Sequence, residues 1–349
     1  MIDLFKGDCL ELLASLPDNS VDSIVTDPPY GLAFMNKKWD YDVPSMEIWE
    51  QCLRVLKPGG YLLSFAGSRT YHRMAVRIED AGFEIRDQLM WLYSSGFPKS
   101  HDLSKSIDKS AGATRKVIGT TKGKGGQNLN ILSRPGARDS ENAKGVGAYG
   151  TGAKQTTIDI PVTAPATDEA KQWEGWGSAL KPAHEPIVMA RKPFKGSLVK
   201  NVLTHGAGAL NIDASRVGGD FGQVGRWPAN VIHDGSEEVE EVFPASAGGT
   251  AARYFYCAKP GRAERDLGTT EGNKHPTVKP LALCAHLIKL VTPPGGVIVD
   301  LFMGSGSFGV AAVMNGFSFK GSETDPASFA TADERINYAA KQQEEAVCQ

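Results

Sequence analysis

Four consecutive residues, Asp27-Pro28-Pro29-Tyr30, directly follow a predicted strand from Val21 to Thr26. Two prolines remove two amide donors and fix φ, so the backbone is rigid and its carbonyls stay free as acceptors. A carboxylate, a fixed carbonyl and an aromatic face then project together from the end of a predicted strand, where α/β enzymes place ligands. A rigid turn with a cap also accounts for the same four letters.

The second chemical signal is VIVDLFMGSGSFGVAAVMNG (297–316), which reads as an apolar strand, an acid, a glycine loop and an amphipathic helix. Gly304 and Gly306 let the backbone turn tightly and approach a ligand, and the helix start offers free amide donors. Glu323 ends the next predicted strand, where an acid binds ribose hydroxyls. Gly304, Gly306 and Gly309 also spell G-x-G-x-x-G, so a dinucleotide-dependent oxidoreductase is a rival reading. That fingerprint normally opens a domain, whereas here one strand and one helix follow it.

Elements must carry these groups to one place. Ile2 to Lys6, Val21 to Thr26, Tyr61 to Phe65 and Phe83 to Tyr93 read as strands. Leu10 to Ala14, Ser45 to Leu56 and Arg69 to Ala81 read as helices, and Pro58-Gly59-Gly60 reads as the turn into the third strand. From about Ser94 to Thr250 the pattern dissolves into Gly, Ser, Thr, Pro and basic clusters. Trp173, Trp176 and Trp227 read as core within this region. Alternation then resumes with strand Arg253 to Ala258, helix Leu281 to Val291, strand Gly296 to Leu301, helix Ser307 to Asn315, strand Ser318 to Glu323 and helix Pro326 to Ala346. The expectation is an α/β fold with a mainly parallel sheet covered on both faces. Residues 1–93 and 251–349 form its halves, and 94–250 is an insert.

Composition narrows the class. With 41% hydrophobic and 22% charged residues the chain falls in the range of globular proteins. Its longest apolar stretches are too short to span a bilayer, and the acids in MIDLFKGDCLELL do not suit a signal peptide, so a cytoplasmic location without membrane contact is expected. Five scattered cysteines suggest neither a disulfide framework nor a zinc site, Cys52 reads as a buried thiol, and His72, His184, His205 and His233 lack ligand spacing, so no metal is expected. The net charge of −2 hides a contrast: residues 101–200 hold 16 Lys and Arg against 9 Asp and Glu, and the rest holds 22 against 31. A basic middle with acidic ends suits an insert that contacts phosphate, Lys122 and Lys124 included, and a solvated loop with chance basic bias fits the charge as well.

DPPY with a downstream FMGSG, preceded by GDCL (7–10) and with HPTVKP (275–280) just before the glycine loop, resembles the amino-DNA methyltransferases in their β arrangement. The resemblance covers nearly the whole chain, and GFPKS (96–100), LKPAHEPIVMARKP and GRWPANVI look like segments of phage- and prophage-encoded members. It implies a Rossmann-like, S-adenosylmethionine-dependent methyltransferase fold with an inserted recognition domain acting on double-stranded DNA. Phe302, Gly304, Ser305 and Gly306 would wrap the methionine part of S-adenosylmethionine, with Asp300 at the strand end and Glu323 on the ribose. Asp8 and Cys9 would border the adenine, although a strand-to-helix cap explains this pair equally. Thr277 and Lys279 would close the methionine carboxylate side. Asp27, Pro28, Pro29 and Tyr30 would face a flipped-out base, expected to be adenine methylated at N6, with cytosine N4 as the alternative. No cysteine follows a proline, which excludes the carbon-methylating route. A catalytically inactive DNA-binding relative stays in view, the resemblance admits a homodimer, and a restriction partner is left open.

Overall fold

The computed structural model describes residues 1–32, 40–94, 96, 100–124, 157–218, 224–246, 249–257, 262–275 and 277–347. The chain divides into two compact units, Met1–Ser94 with His184–Gln349, and Ser95–Ala183. In chain order the first unit opens with β1 (Ile2–Lys6), α1 (Cys9–Ser15), β2 (Val21–Thr26), α2 (Met46–Val55), β3 (Leu56–Phe65), α3 (Tyr71–Asp80) and β4 (Glu84–Leu92). The second unit holds α4 (Leu103–Ser110), β5 (Lys116–Lys124), β6 (Thr157–Ala164) and α5 (Asp168–Gln172). The first unit then continues with β7 (His184–Arg191), α6 (Leu198–His205), β8 (Val231–His233), α7 (Glu237–Glu240), β9 (Ala245–Ser246), β10 (Gly249–Thr250), β11 (Tyr256–Cys257), α8 (Arg262–Arg265), α9 (Leu281–Val291), β12 (Val297–Asp300), α10 (Ser307–Met314), β13 (Ser318–Glu323) and α11 (Pro326–Val347).

The first unit is built on a nine-stranded sheet in the order β1-β13-β12-β2-β3-β7-β4-β8-β11. Among the described residues β7 alone runs against the others, pairing antiparallel with both β3 and β4. Side chains alternate between two cores. Val25, Tyr61, Leu63, Phe65, Ile187, Met189 and Ile298 pack on one face with α9, α10 and α11. Ile24, Leu62, Val188, Ala190 and Val299 pack on the other with α1, α2 and α3. Every residue of β2 is buried, and its three polar side chains are paired there: Asp22 accepts from Lys57, Ser23 bonds Thr292 and Thr26 donates to Asp300. Fully burying one such Val, Leu or Ile is worth about 1.5–3 kcal/mol.

Several expectations change. Residues 184–191 fall within the expected insert, yet as β7 they occupy the middle of the sheet. Pro58-Gly59-Gly60 is part of β3, at an irregular pairing with β2, and Gly59 takes φ 82° there. Of the strand expected at Arg253 to Ala258, Arg253 and Tyr254 end a 3₁₀ turn, Ala251–Tyr254, Tyr256–Cys257 form a strand, and Ala258 lies outside the described residues. The helix after the glycine loop is not amphipathic: Ser307 through Val313 are all buried. Cys52 is a buried free thiol, as its helix position suggested.

The second unit centres on the antiparallel pair β5–β6 and the short helices α4 and α5. Asp108 ties it together, accepting from Arg115 Nη1 at 2.7 Å and from the amides of Ala166 and Thr167 at 2.9 Å. Trp173 and Trp176 are not core; they stack edge to face, 5.2 Å between centroids, and stand exposed. In the first unit Trp227 is also exposed, under the Arg216 guanidinium at 5.4 Å. Residues 125–156 of the basic middle, 101–200, lie outside the described residues. Among those described, no helix is long and apolar enough to cross a membrane.

Candidate functional site

β1, β2, β12 and β13 lie side by side and run parallel, so the residues that follow their last positions meet at one edge. Those residues are Asp8 after β1, Asp27–Tyr30 after β2, Asp300 and the loop behind it at the end of β12, and Glu323 at the end of β13. Thr26 Oγ1 donates to Asp300 Oδ1 at 2.6 Å, tying the strand that carries the tetrapeptide to the strand that carries the glycine loop.

The tetrapeptide is clamped from behind. Asp40 is buried and accepts the amides of Tyr30, Gly31 and Leu32 at 2.7, 3.0 and 3.2 Å, while Thr70 Oγ1 donates to the Tyr30 carbonyl at 2.6 Å. Among the described residues no hydrogen bond ends on the Pro28 carbonyl. In front, Tyr30 Oη reaches Asp27 Oδ1 at 2.6 Å and Glu185 Oε2 at 3.1 Å. Lys279 Nζ stands 2.5 Å from Asp27 Oδ2, 3.2 Å from Glu185 Oε2 and 4.7 Å above the Phe65 ring centroid. Burial, then the charges of Asp27 and Glu185, push the Tyr30 phenol well above its ordinary pKa, so it stays protonated and donates. Lys279, expected beside the cofactor carboxylate, is thus engaged with Asp27 and Glu185.

The glycine loop is shaped by backbone. Gly304 and Gly306 take φ 52° and 79°, which other residues adopt only with strain. A Cβ on Gly304 would stand 2.9 Å from His275 Nε2, and one on Gly306 would meet Ile336 and Ala332 of α11. At Gly306, therefore, the absent side chain serves the packing of α10 on α11. Glu323 Oε2 accepts the Gly304 amide at 2.9 Å, and Oε1 accepts the Asp325 amide at 2.8 Å. Arg335, fully buried on α11, donates to the Ser305 carbonyl and, at 3.2 Å, to Ser305 Oγ. Its other arm donates to the Glu264 carbonyl at 3.0 Å, and burial brings its pKa down to about 10. Asp300 is buried with the Thr26 hydroxyl and the Phe302 amide as donors, and burial pushes its pKa up to about 7.

Asp8 caps α1 through the Leu10 amide at 2.8 Å, and Cys9 is buried with its thiol pushed up to about 12 by burial and by Asp8. Thr277 is exposed, its amide 3.4 Å from His275 Nδ1. Lys122 is exposed on β5; the Lys124 side chain lies outside the described residues. Glu185, Asp40, His275 and Arg335 were not anticipated as site residues. The lone acid in HEPIVMAR, the lone arginine of the last helix and the histidine that opens HPTVKP hinted at three of them. Among the described residues no group of three or more His, Cys, Asp or Glu is placed to hold a metal.

A nucleotide-type turn beside a rigid acid-bearing loop, on one edge of a sheet covered on both faces, is the arrangement of an α/β enzyme. A family model described as DNA methylase, and named for N6 and N4 members, matches residues 21–334, and the chain belongs to that family. M.BglII of Bacillus subtilis, a type II methyltransferase, is 34% identical over 106 residues, 27% of this chain and 29% of that protein. The match thus spans under a third of that relative's length. Among solved structures, a complex of M1.HpyAVI with S-adenosylmethionine aligns with 97% of this chain and 100% of its own at TM-score 0.47 and 18% identity. The cytosine-N4-specific PvuII DNA methyltransferase aligns with 99% and 93% at TM-score 0.48 and 15% identity.

Proposed function

We propose that the chain transfers a methyl group from S-adenosylmethionine to the exocyclic N6 of adenine in duplex DNA. The observation that carries this reading is the Thr26–Asp300 hydrogen bond, which holds the tetrapeptide and the glycine loop as one unit. Methyl donor and acceptor must lie within about 3–3.5 Å in line for direct transfer, and only a fixed spacing of the two loops provides that.

The residues fit the cofactor. The left-handed turns at Gly304 and Gly306 keep the loop close to the strand ends, and the Glu323 carboxylate beside it retains acceptor directions for a ribose diol. Phe302, Ser305 and Thr277 line the methionine side, Asp300 backs it from the strand end, and Asp8 with the neutral Cys9 thiol borders the adenine. When bound, the group supplies a sulfonium-activated methyl. An amino lone pair delocalised into a ring is a poor nucleophile. The Asp27 carboxylate and the Pro28 carbonyl accept its two hydrogens, push the nitrogen toward a tetrahedral shape and aim it at the methyl. Leaving the stack costs the base a few kcal/mol, and the Tyr30 ring offsets part of this by stacking.

An acid-first tetrapeptide favours adenine; cytosine N4 is the second reading, because the family model spans both amines. The second unit, with the basic Lys122 and Lys124, supplies phosphate contacts and sequence choice. Incubation with methyl-labelled S-adenosylmethionine and duplex DNA tests the reading. Label on a base amino group is expected, and DNA without label would overturn it.

A further inference from the structure

Glu185 has no place in the chemistry described so far. It lies near the start of β7, the strand that runs against the rest of its sheet. The parallel strands bring their last residues to the site edge, whereas a reversed strand brings its first. The register confirms this, since Phe65 at the end of β3 pairs with Ile187. Reversal therefore delivers a carboxylate beside Tyr30 and Lys279 from a segment more than 150 residues away from Tyr30 in the chain.

We propose that Glu185 is a positioning residue of the transfer site: touching neither cofactor nor base, it holds Tyr30 Oη and Lys279 Nζ and through both sets the Asp27 carboxylate. The inference rests on the methyl-transfer reading. Glu185 Oε2 lies 3.1 Å from the phenol oxygen and 3.2 Å from the ammonium. Each of these groups also holds a different Asp27 oxygen, Tyr30 on Oδ1 and Lys279 on Oδ2. Four side chains thus close a ring: the ammonium donates to both carboxylates, the single phenol hydrogen lies between Asp27 Oδ1 and Glu185 Oε2 with Asp27 the nearer, and Glu185 is the anchor opposite Asp27. The three charged members are each less than one-fifth exposed, so the pairing is only partly screened by solvent. Without Glu185 the phenol and the ammonium both lose the second carboxylate that they share besides Asp27. Each carboxylate oxygen of Asp27 keeps a second acceptor direction, so the grip orients the acceptor without consuming it.

A misplacement of about 1 Å at a reacting group costs up to about 100-fold in rate. Glu185→Gln, close in shape but uncharged, should lower kcat by about tenfold or more while KM for DNA and cofactor stay within about threefold, the mark of an interaction made at the transition state. Melting temperature and calorimetric cofactor affinity should stay near wild type; if the glutamine variant does not fold, Glu185→Asp takes its place. Tyr30→Phe removes one link of the ring, so Glu185→Gln with Tyr30→Phe should lose much less than the product of the two single losses. Losses that multiply, an unchanged kcat, or a loss confined to KM would overturn the role of Glu185 while leaving methyl transfer standing. Failure of the wild-type chain to label DNA would overturn both.

Discussion

The glycine loop and the Asp27–Tyr30 loop stand on neighbouring strand ends and are held by different forces. The first is fixed by burial and backbone: left-handed glycines, an amide on Glu323, and a buried arginine on the Ser305 carbonyl. Its strand ends in Asp300, an acid that burial pushes toward neutrality. The second is fixed by charge, with Asp27, Glu185 and Lys279 in contact and Asp40 gripping the amides behind. A loop that must fit a ligand of fixed shape is served by rigid backbone. On the proposed reading the Asp27 loop draws hydrogens from an amine, a task that charge kept in place by other charges serves.

The comparison breaks most sharply at Asp27. Asp27→Ala should keep cofactor binding, because the glycine loop does not depend on it, and lose transfer by at least about 100-fold, the scale for deleting one preorganised polar contact. Near-wild-type turnover on DNA would show that charge at this loop does no chemistry.

On the other side, Asp300 should leave a mark on stability. Its folded pKa of about 7 lies above the ordinary 3.8, so the folded state binds more protons than the unfolded one between these values. Stability from this group is therefore full below about pH 4 and declines as pH rises toward about 7, by on the order of a few kcal/mol. Asp300→Asn keeps an acceptor for Thr26 and Phe302 and removes the titration. Thermal melts from pH 4 to 8 should show wild type losing more stability than the variant as pH rises; parallel curves would mean that Asp300 is charged in the fold.

Much of this contrast was legible from the chain. Two prolines beside an acid, and glycines between a strand and a helix, are local signals whose meaning does not depend on distant partners. The apolar run Val297–Val299 likewise marked β12 as a buried strand. What escaped was whatever depended on return of the chain. HEPIVMAR lies in the stretch read as an insert, and nothing local places it as a strand between β3 and β4. Glu185 and Arg335 look like ordinary charged residues until their partners arrive from Tyr30 and Ser305. The helix after the glycine turn looked amphipathic because Ser307 and Gly309 break its apolar run, yet a Cβ on Gly309 would collide with Ile336 of α11.

The second unit offers the smallest expected effect. Replacing Lys122 and Lys124 by alanine should weaken binding to all DNA sequences alike and flatten the dependence of log affinity on log salt by about 0.9 for each phosphate no longer neutralised. An unchanged slope would leave these lysines as solvated residues.

The most direct test of the central claim is the identity of the methylated base. Duplex DNA treated with the enzyme and labelled S-adenosylmethionine is digested to nucleosides and resolved by mass spectrometry. Label on deoxyadenosine, at N6, is the expected result. Label on deoxycytidine with none on deoxyadenosine would contradict the claim.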